Sequence, residues 1–243
     1  MRRFTLKPQN IFDKIAYLDE KERAHIANVL RMKKGDKLIA SVSDGRDFIC
    51  EIEEIEEDVV KLNILEEKQN NADPKYHITI FQGAPKRDKL ELIIQKATEL
   101  GISALVPFQS KFCISKFDDS KIPRLEKISL EATKQCGRSI PLEISGVKTF
   151  SEMLSCLSDY QCVIFAYEKE TKSLKTAIEK YKNAENKGKI AIVIGSEGGF
   201  SSEESEKIAS LENVDCVSLG NRILRLETAT IALSAILSYE LEN

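Results

Sequence analysis

The sequence predicts an α/β protein with a small β-rich first domain and a larger second domain built on a mostly parallel sheet. Three observations carry this reading. From Tyr76 onward, short continuously apolar runs alternate with helix-forming stretches, the pattern of parallel strands covered by helices on both faces. Before that point, turn signals separate shorter apolar runs, as in a small all-β unit. Near the end, two apolar runs each stop at a glycine turn and lead into a helix: IAIVIGSEGGF from Ile190, and VDCVSLGNRILRLETATIALSAIL from Val214. Such elbows bring backbone N–H groups up to a ligand at the C-terminal ends of parallel strands. The two strand tips are expected to be neighbours facing one pocket.

In the first domain a helix is expected over Glu20–Met32, with Ala24, Ala27, Val29 and Leu30 inward. Strands follow over Lys37–Val42, Asp47–Ile52 and Val59–Leu65, with turns at Gly35-Asp36 and Asp44-Gly45. One helix and these strands fit a small β-barrel. The polar stretch Glu66–Pro74 reads as a linker, giving domains at 1–70 and 74–243. In the second domain, strands are expected at His77–Gln82, Ala104–Phe108, Leu142–Val147, Cys162–Tyr167, Lys189–Ile194 and Val214–Leu219. Helices are expected at Asp88–Leu100, Ile122–Cys136, Phe150–Leu157, Thr171–Tyr181, Ser202–Ser210 and Glu227–Leu241. The last of these is apolar on most sides, which calls for burial on several faces.

Composition narrows the function classes. The chain of 243 residues is 42% hydrophobic and 31% charged, enough for one or two cored domains. No apolar run approaches a membrane span, and MRRFTLKPQN has no apolar signal segment. Six cysteines are scattered without a CxxC, and the two histidines, His25 and His77, lie far apart. A Cys/His metal site is not expected, and a reducing, cytoplasmic setting fits the cysteines. The net charge of −3 argues against sequence-blind nucleic-acid binding. Its distribution is uneven: +4 over residues 1–50, −6 over 51–70, +4 over 71–149 and −5 over 150–243. The two basic segments suit an RNA-facing surface, or plain solvated lysine.

The glycine loop taken alone is compatible with a tight turn; it is neither G-x-G-x-x-G nor a phosphate loop. The pair GSEGGFSxxE and LGNRILRLETA, with AHIANVLRMKKGD, LELIIQKATELG and EATKQCGRSIPLE earlier in the chain, resembles the SPOUT methyltransferases, and within them the RsmE family. The resemblance runs the length of the chain. It implies a PUA-like N-terminal β-barrel, a SPOUT domain with a C-terminal trefoil knot, a homodimer, and S-adenosylmethionine-dependent methylation of N3 of one uridine in 16S ribosomal RNA of the small subunit. Neither a metal nor a membrane is implied. The rivals are a SPOUT enzyme with another target such as a ribose 2′-OH, a non-catalytic RNA-binding assembly factor, and a dehydrogenase disfavoured by the missing dinucleotide fingerprint.

The resemblance points to Gly195, Glu197, Gly198, Gly199, Leu219, Gly220, Ile223 and Leu224 as cofactor-binding. Glycine permits close backbone approach, and the apolar residues would pack on an adenine, or simply in the core. Uridine N3 needs a base or a positive group that stabilises its anion. Arg225 is the candidate cation, with Glu227 as its expected partner; the two could equally form a structural ion pair, an ambiguity that Glu197 shares. Arg2, Arg3, Arg31, Lys86, Arg87, Lys96, Gln135 and Arg138 are candidate RNA contacts. The chain departs from the family pattern at Ser196, where proline is usual, at Asn221, and at Leu226, where threonine is common.

Overall fold

The computed structural model describes residues 1–114, 117–167, 172–184 and 188–242, with the side chain of Arg87 left out. The chain separates into two compact units, Met1–Asp73 with Thr133–Pro141, and Pro74–Ala132 with Leu142–Asn243. The segment 133–141, expected in the second domain, thus belongs to the first unit.

In the first unit, β1 (Arg2–Thr5), β2 (Ile11–Phe12), β3 (Ile15–Leu18), α1 (Glu20–Ala24), β4 (Lys37–Val42), β5 (Arg46–Ile55) and β6 (Val60–Gln69) follow in chain order. The strands form one sheet in the order β1-β4-β5-β6-β3-β2, with β1 parallel to β4 and the remaining pairs antiparallel. Three of these strands, β1 to β3, were not expected; they are too short for a periodic signal. The first part of the stretch read as a linker is instead the end of β6, where Glu66–Gln69 pair with Arg46–Ile49; the boundary between the units falls in its last part, between Asp73 and Pro74. Polar residues suit a hairpin arm whose side chains face solvent, so polarity alone misled. Phe4, Leu18, Ile26, Leu38, Phe48, Ile52 and Leu62 fill the core.

The expected helix at Glu20–Met32 runs from Glu20 to Val29, changing its winding after Ala24 and stopping short of Met32. Asp19 caps α1 by accepting from the Glu22 N–H at 3.3 Å, and the chain then widens into a π-turn over His25–Val29. Val29 is turned outward, 69% exposed, opposite to its expected place, and Arg31 takes a left-handed φ of 53°. Such widened turns recur at functional sites.

Segment 133–141 is fastened within this unit. Lys134 pairs with the buried Glu22; the Asn70 side chain donates to Gly137 O at 2.9 Å; and Asp73 accepts from the N–H groups of Ser139 and Ile140 at 3.0 and 2.9 Å.

The second unit contains β7 (Ile78–Gly83), α2 (Arg87–Glu99), β8 (Ala104–Gln109), α3 (Ile122–Cys136, its last turn counted with the first unit), β9 (Glu143–Ile144), β10 (Lys148–Thr149), α4 (Phe150–Cys156), β11 (Cys162–Ala166), α5 (Leu174–Lys182), β12 (Ile190–Ile194), α6 (Ser202–Ala209), β13 (Val214–Val217) and α7 (Leu226–Glu242). All strand pairs are parallel, in the order β10-β8-β7-β12-β11-β13 with β9 also on β8. The single strand expected over Leu142–Val147 is two short ones.

Burial explains the apolar runs. Alternate residues of β12 serve opposite cores: Ile190, Ile192 and Ile194 pack with α2, α5 and α7, while Ala191 and Val193 pack with α4 and α6. The period of two is hidden in the sequence because both faces are covered.

The topology fixes the location of a site. The chain builds outward from β7 to β8 and β10, then returns to place β12 on the other side of β7. The boundary between β7 and β12 is therefore a topological switch point, where ligands of parallel sheets bind. β13 is not beside β12, because β11 lies between them; the two elbows are not on neighbouring strands as expected.

Candidate functional site

The switch point is built from the ends of β7 and β12. Gly83 closes β7 flat against the glycine loop: a Cβ there would lie 2.5 Å from Ser196 N and 2.7 Å from the Gly195 carbonyl carbon. The loop is tight, with the Gly199 N–H donating to Ser196 O at 3.0 Å. Gly199 needs its glycine for a φ of +67°, as does Gly220 in the second elbow with +110°. A Cβ on either would meet nothing within 4 Å, so both face open space. Gly198 differs. A Cβ there would press on Phe112, 2.7 Å from its Cβ and 2.9 Å from its carbonyl oxygen. That glycine is required by protein packing.

The GFSxxE part of the motif also has a local cause. Ser201 and Glu204 form a reciprocal capping box at the start of α6. The same Glu204 carboxylate accepts from the Lys111 N–H at 2.8 Å, which holds the 110–114 segment over the loop.

Beneath the loop lies a buried polar relay that sequence reasoning missed. The Gln82 amide, fully buried, donates to the Gly195 and Gly83 carbonyls, each at 3.2 Å. Its oxygen accepts from the Thr230 hydroxyl at 2.7 Å. The relay ties the first turn of α7 to the glycine loop. The signal was present as a lone glutamine inside an apolar strand, which must find partners when buried. Thr230→Val keeps the shape but leaves the Gln82 oxygen unsatisfied. It is expected to destabilise the protein by about 1–3 kcal/mol, read as a lowered urea midpoint, whereas Thr230→Ser stays within about 1 kcal/mol of the parent.

Above the loop the charges pair differently from expectation. Glu227 does not meet Arg225. Its carboxylate lies 3.4 Å from the Lys89 ammonium, which also contacts Glu197 at 3.3 Å. Lys89 stands at the start of α2 and so bridges the carboxylates of both elbows. The Glu227 oxygen that makes this contact is buried, and the Lys89 ammonium is the charge it faces. Burial alone would raise the Glu197 carboxyl, but the N–H groups of Glu197 itself and Lys86, together with Lys89, hold it below the usual carboxylate range. Burial alone would lower the Lys89 ammonium; its hydrogen bond to Glu197 and the Glu227 charge outweigh this and push it up. The sign of each shift matters. Stability from a depressed carboxylate is lost only as pH falls through its folded pKa, and stability from a raised ammonium only as pH rises through its folded pKa. Glu197 and Lys89 therefore both keep their charges around neutral pH.

Arg225 is exposed and forms no ion pair among the described residues. The expected pairing with Glu227 is overturned: Arg225 occupies the exposed turn before α7, where its carbonyl accepts from the Ala229 N–H at 2.9 Å. Leu219 and Leu224 are half-buried, Leu219 against the main core, whereas Ile223 is 85% exposed. Of the family departures, Ser196 is buried and donates to Phe112 O at 3.3 Å, Leu226 is buried in the core, and Asn221 is exposed.

The RNA candidates divide. Arg2, Arg31 and Gln135 are exposed in the first unit. Arg3 is instead committed to Ser41 and Asp47. Arg138 is 2% exposed, with Asp73 at 3.8 Å; its burial takes it off any surface that could meet phosphate. In the second unit Lys86 is exposed, Lys96 pairs with Glu99 at 2.9 Å, and the Arg87 side chain lies outside the described residues. Among the described residues no cluster of His, Cys, Asp or Glu could hold a metal ion.

Comparison with known proteins assigns the family. A model described as an RNA methyltransferase domain matches residues 71–238, and one described as an RNA methyltransferase PUA domain matches residues 18–65. The chain is 38% identical over 225 residues to the ribosomal RNA small subunit methyltransferase E of Bacillus subtilis (strain 168), covering 90% of this chain and 87% of that protein. It is 33% identical to the protein of that name from Rickettsia conorii, covering 87% and 84%. The crystal structure of a ribosomal RNA small subunit methyltransferase E from Neisseria gonorrhoeae, bound to S-adenosyl methionine, superposes with a TM-score of 0.85 at 25% identity, covering 98% of this chain and 97% of that one. The chain belongs to the RNA methyltransferase family of the ribosomal RNA small subunit methyltransferases E.

Proposed function

We propose that this protein transfers a methyl group from S-adenosylmethionine to N3 of one uridine in the 16S RNA of the small ribosomal subunit. The carrying observation is the glycine elbow at the switch point joined to the second elbow: Gly199 and Gly220 hold left-handed backbone that opens onto free space, and one lysine joins the carboxylates of both elbows. The residues fit the cofactor. The backbone of Gly195, Glu197, Gly198, Gly199 and Gly220 offers polar edges at close approach, and Leu219, Ile223 and Leu224 would offer apolar cover. When bound, the cofactor supplies an electrophilic methyl group; the protein's share is to orient, shield and balance charge.

Arg225 is the cation for the acceptor. Uridine N3 becomes nucleophilic only as its proton leaves, and a guanidinium beside the two flanking carbonyls stabilises the anion. An exposed arginine without an internal partner is free to reach an RNA base, so its exposure favours this role over a structural one. Glu227, anchored by Lys89, stands at the head of α7 and holds the turn that carries Arg225. Arg2, Arg31, Lys86 and Gln135 suit phosphate and base contacts, and the target uridine is extruded from its stack before reaction.

The proposal extends to a C-terminal trefoil knot, a homodimer and a cytoplasmic setting. No helix among the described residues is long and apolar enough to cross a membrane. On α7, Leu226, Leu233, Leu237 and Leu241 are buried, while Ile236 and Tyr239 stand 41% and 69% exposed, an apolar face suited to a second copy. Ile236→Glu is expected to yield monomers or aggregates, since a covered apolar face would gain an unpaired charge. A stable, active monomer by sedimentation would sink the dimer. The function is tested by incubating the protein with unmethylated small subunits and labelled S-adenosylmethionine, then mapping modified nucleosides. Label on any atom other than uridine N3, or none at all, refutes it.

A further inference from the structure

Phe112 is a large apolar side chain with no apparent structural use. Phe112 is 43% exposed, yet its Cβ and carbonyl pack directly on the glycine loop. Gly198 has no room for a Cβ because Phe112 fills the space, at 2.7 Å. Ser196 donates to its carbonyl at 3.3 Å. On either side, Lys111 is pinned through its N–H to Glu204 at 2.8 Å, and the Ser110 N–H meets Cys113 Sγ at 3.3 Å. The Lys111 ammonium lies 6.0 Å from the ring centroid. A part-exposed aromatic ring whose Cβ and carbonyl are fixed against the glycine loop, with a cation beside it, is an arrangement that binds an unstacked base.

We infer that Phe112 is the platform on which the extruded uracil stacks, with Lys111 positioned for the phosphate that follows it. The inference rests on the proposed function, because only a base brought to the glycine loop has reason to use this ring. It also gives Ser196 a purpose. The hydroxyl at this family departure fastens the platform to the same loop that holds the cofactor, so that base and methyl donor share one reference frame.

The test compares Phe112→Leu and Phe112→Trp, surface changes that keep an apolar contact with Gly198. With unmethylated small subunits and saturating S-adenosylmethionine, Phe112→Leu is expected to lose about 5- to 150-fold in kcat/KM for the subunit, the range for removing one base–aromatic stack. Affinity for S-adenosylhomocysteine by calorimetry stays within about twofold. Phe112→Trp retains activity. Because the chain contains no tryptophan, this variant also carries a single fluorophore, which unmodified 16S transcript should quench at concentrations that saturate filter binding. Equal kcat/KM for Phe112→Leu and wild type overturns the inference, as does unquenched fluorescence at saturation. Fluorescence or sedimentation of the Trp variant that changes with protein concentration without RNA assigns the ring to a protein contact, which also overturns it. Inactive wild type would instead refute the function on which the inference rests.

Discussion

Arg225→Ala is expected to lower the single-turnover methylation rate by about a hundredfold or more, the effect of removing a positioned electrostatic group. Arg225→Lys should retain part of the rate, because the charge survives and the planar fork is lost. The effect must be read at saturating cofactor and subunit, so that binding defects do not enter the rate. The pH profile separates chemistry from structure. The wild-type rate rises with pH as the N3 proton becomes easier to remove, and Arg225→Ala shifts that rise to higher pH. Glu197 and Lys89 do not produce this rise. The depressed Glu197 pKa and the raised Lys89 pKa keep both groups charged across the neutral and mildly alkaline range. A normal rate and profile in Arg225→Ala would return this residue to a purely structural place in the turn before α7.

Gly198→Val is expected to abolish cofactor binding, with affinity for S-adenosylhomocysteine reduced beyond about a hundredfold by calorimetry. The side chain would collide with the Phe112 backbone, 2.9 Å away at its carbonyl oxygen; backbone cannot give as a flexible side chain does, so the loop itself must move. Gly220→Ala makes the informative contrast. Its Cβ meets nothing within 4 Å, and only the left-handed φ of +110° opposes it. It should cost roughly 1–3 kcal/mol of local strain and leave measurable binding. If Gly198→Val binds normally, Phe112 and the loop are looser than their contacts indicate, and the shared frame for base and cofactor fails with it.

The structure changes how individual motif residues are understood. Residues of one motif have separate local causes: Gly198 packs against Phe112, Gly199 and Gly220 need left-handed backbone, and Ser201 with Glu204 caps a helix. Arg138 closes the EATKQCGR motif because it is buried beside Asp73. A motif arginine therefore need not be an RNA contact. Lys89 was overlooked because a lysine one turn into a helix looks like any solvated lysine until the two carboxylates, more than a hundred residues away, are brought to it.

By itself the sequence determined the second unit's alternation of strand and helix, the places where β7, β8, β11 and β12 begin and end to within a residue or two, and the two glycine elbows. These are local matters: apolar runs long enough to be buried on both faces, and turns that only glycine can make. Tertiary structure alone decided the rest. It set β11 between the two elbow strands, made the end of β6 from the first part of an apparent linker, placed segment 133–141 in the first unit, and paired Glu227 with Lys89 in place of Arg225. Each of these depends on which distant segments meet. Strand order, ion pairing and the burial of an arginine are settled by long-range packing, which no window of neighbouring residues contains.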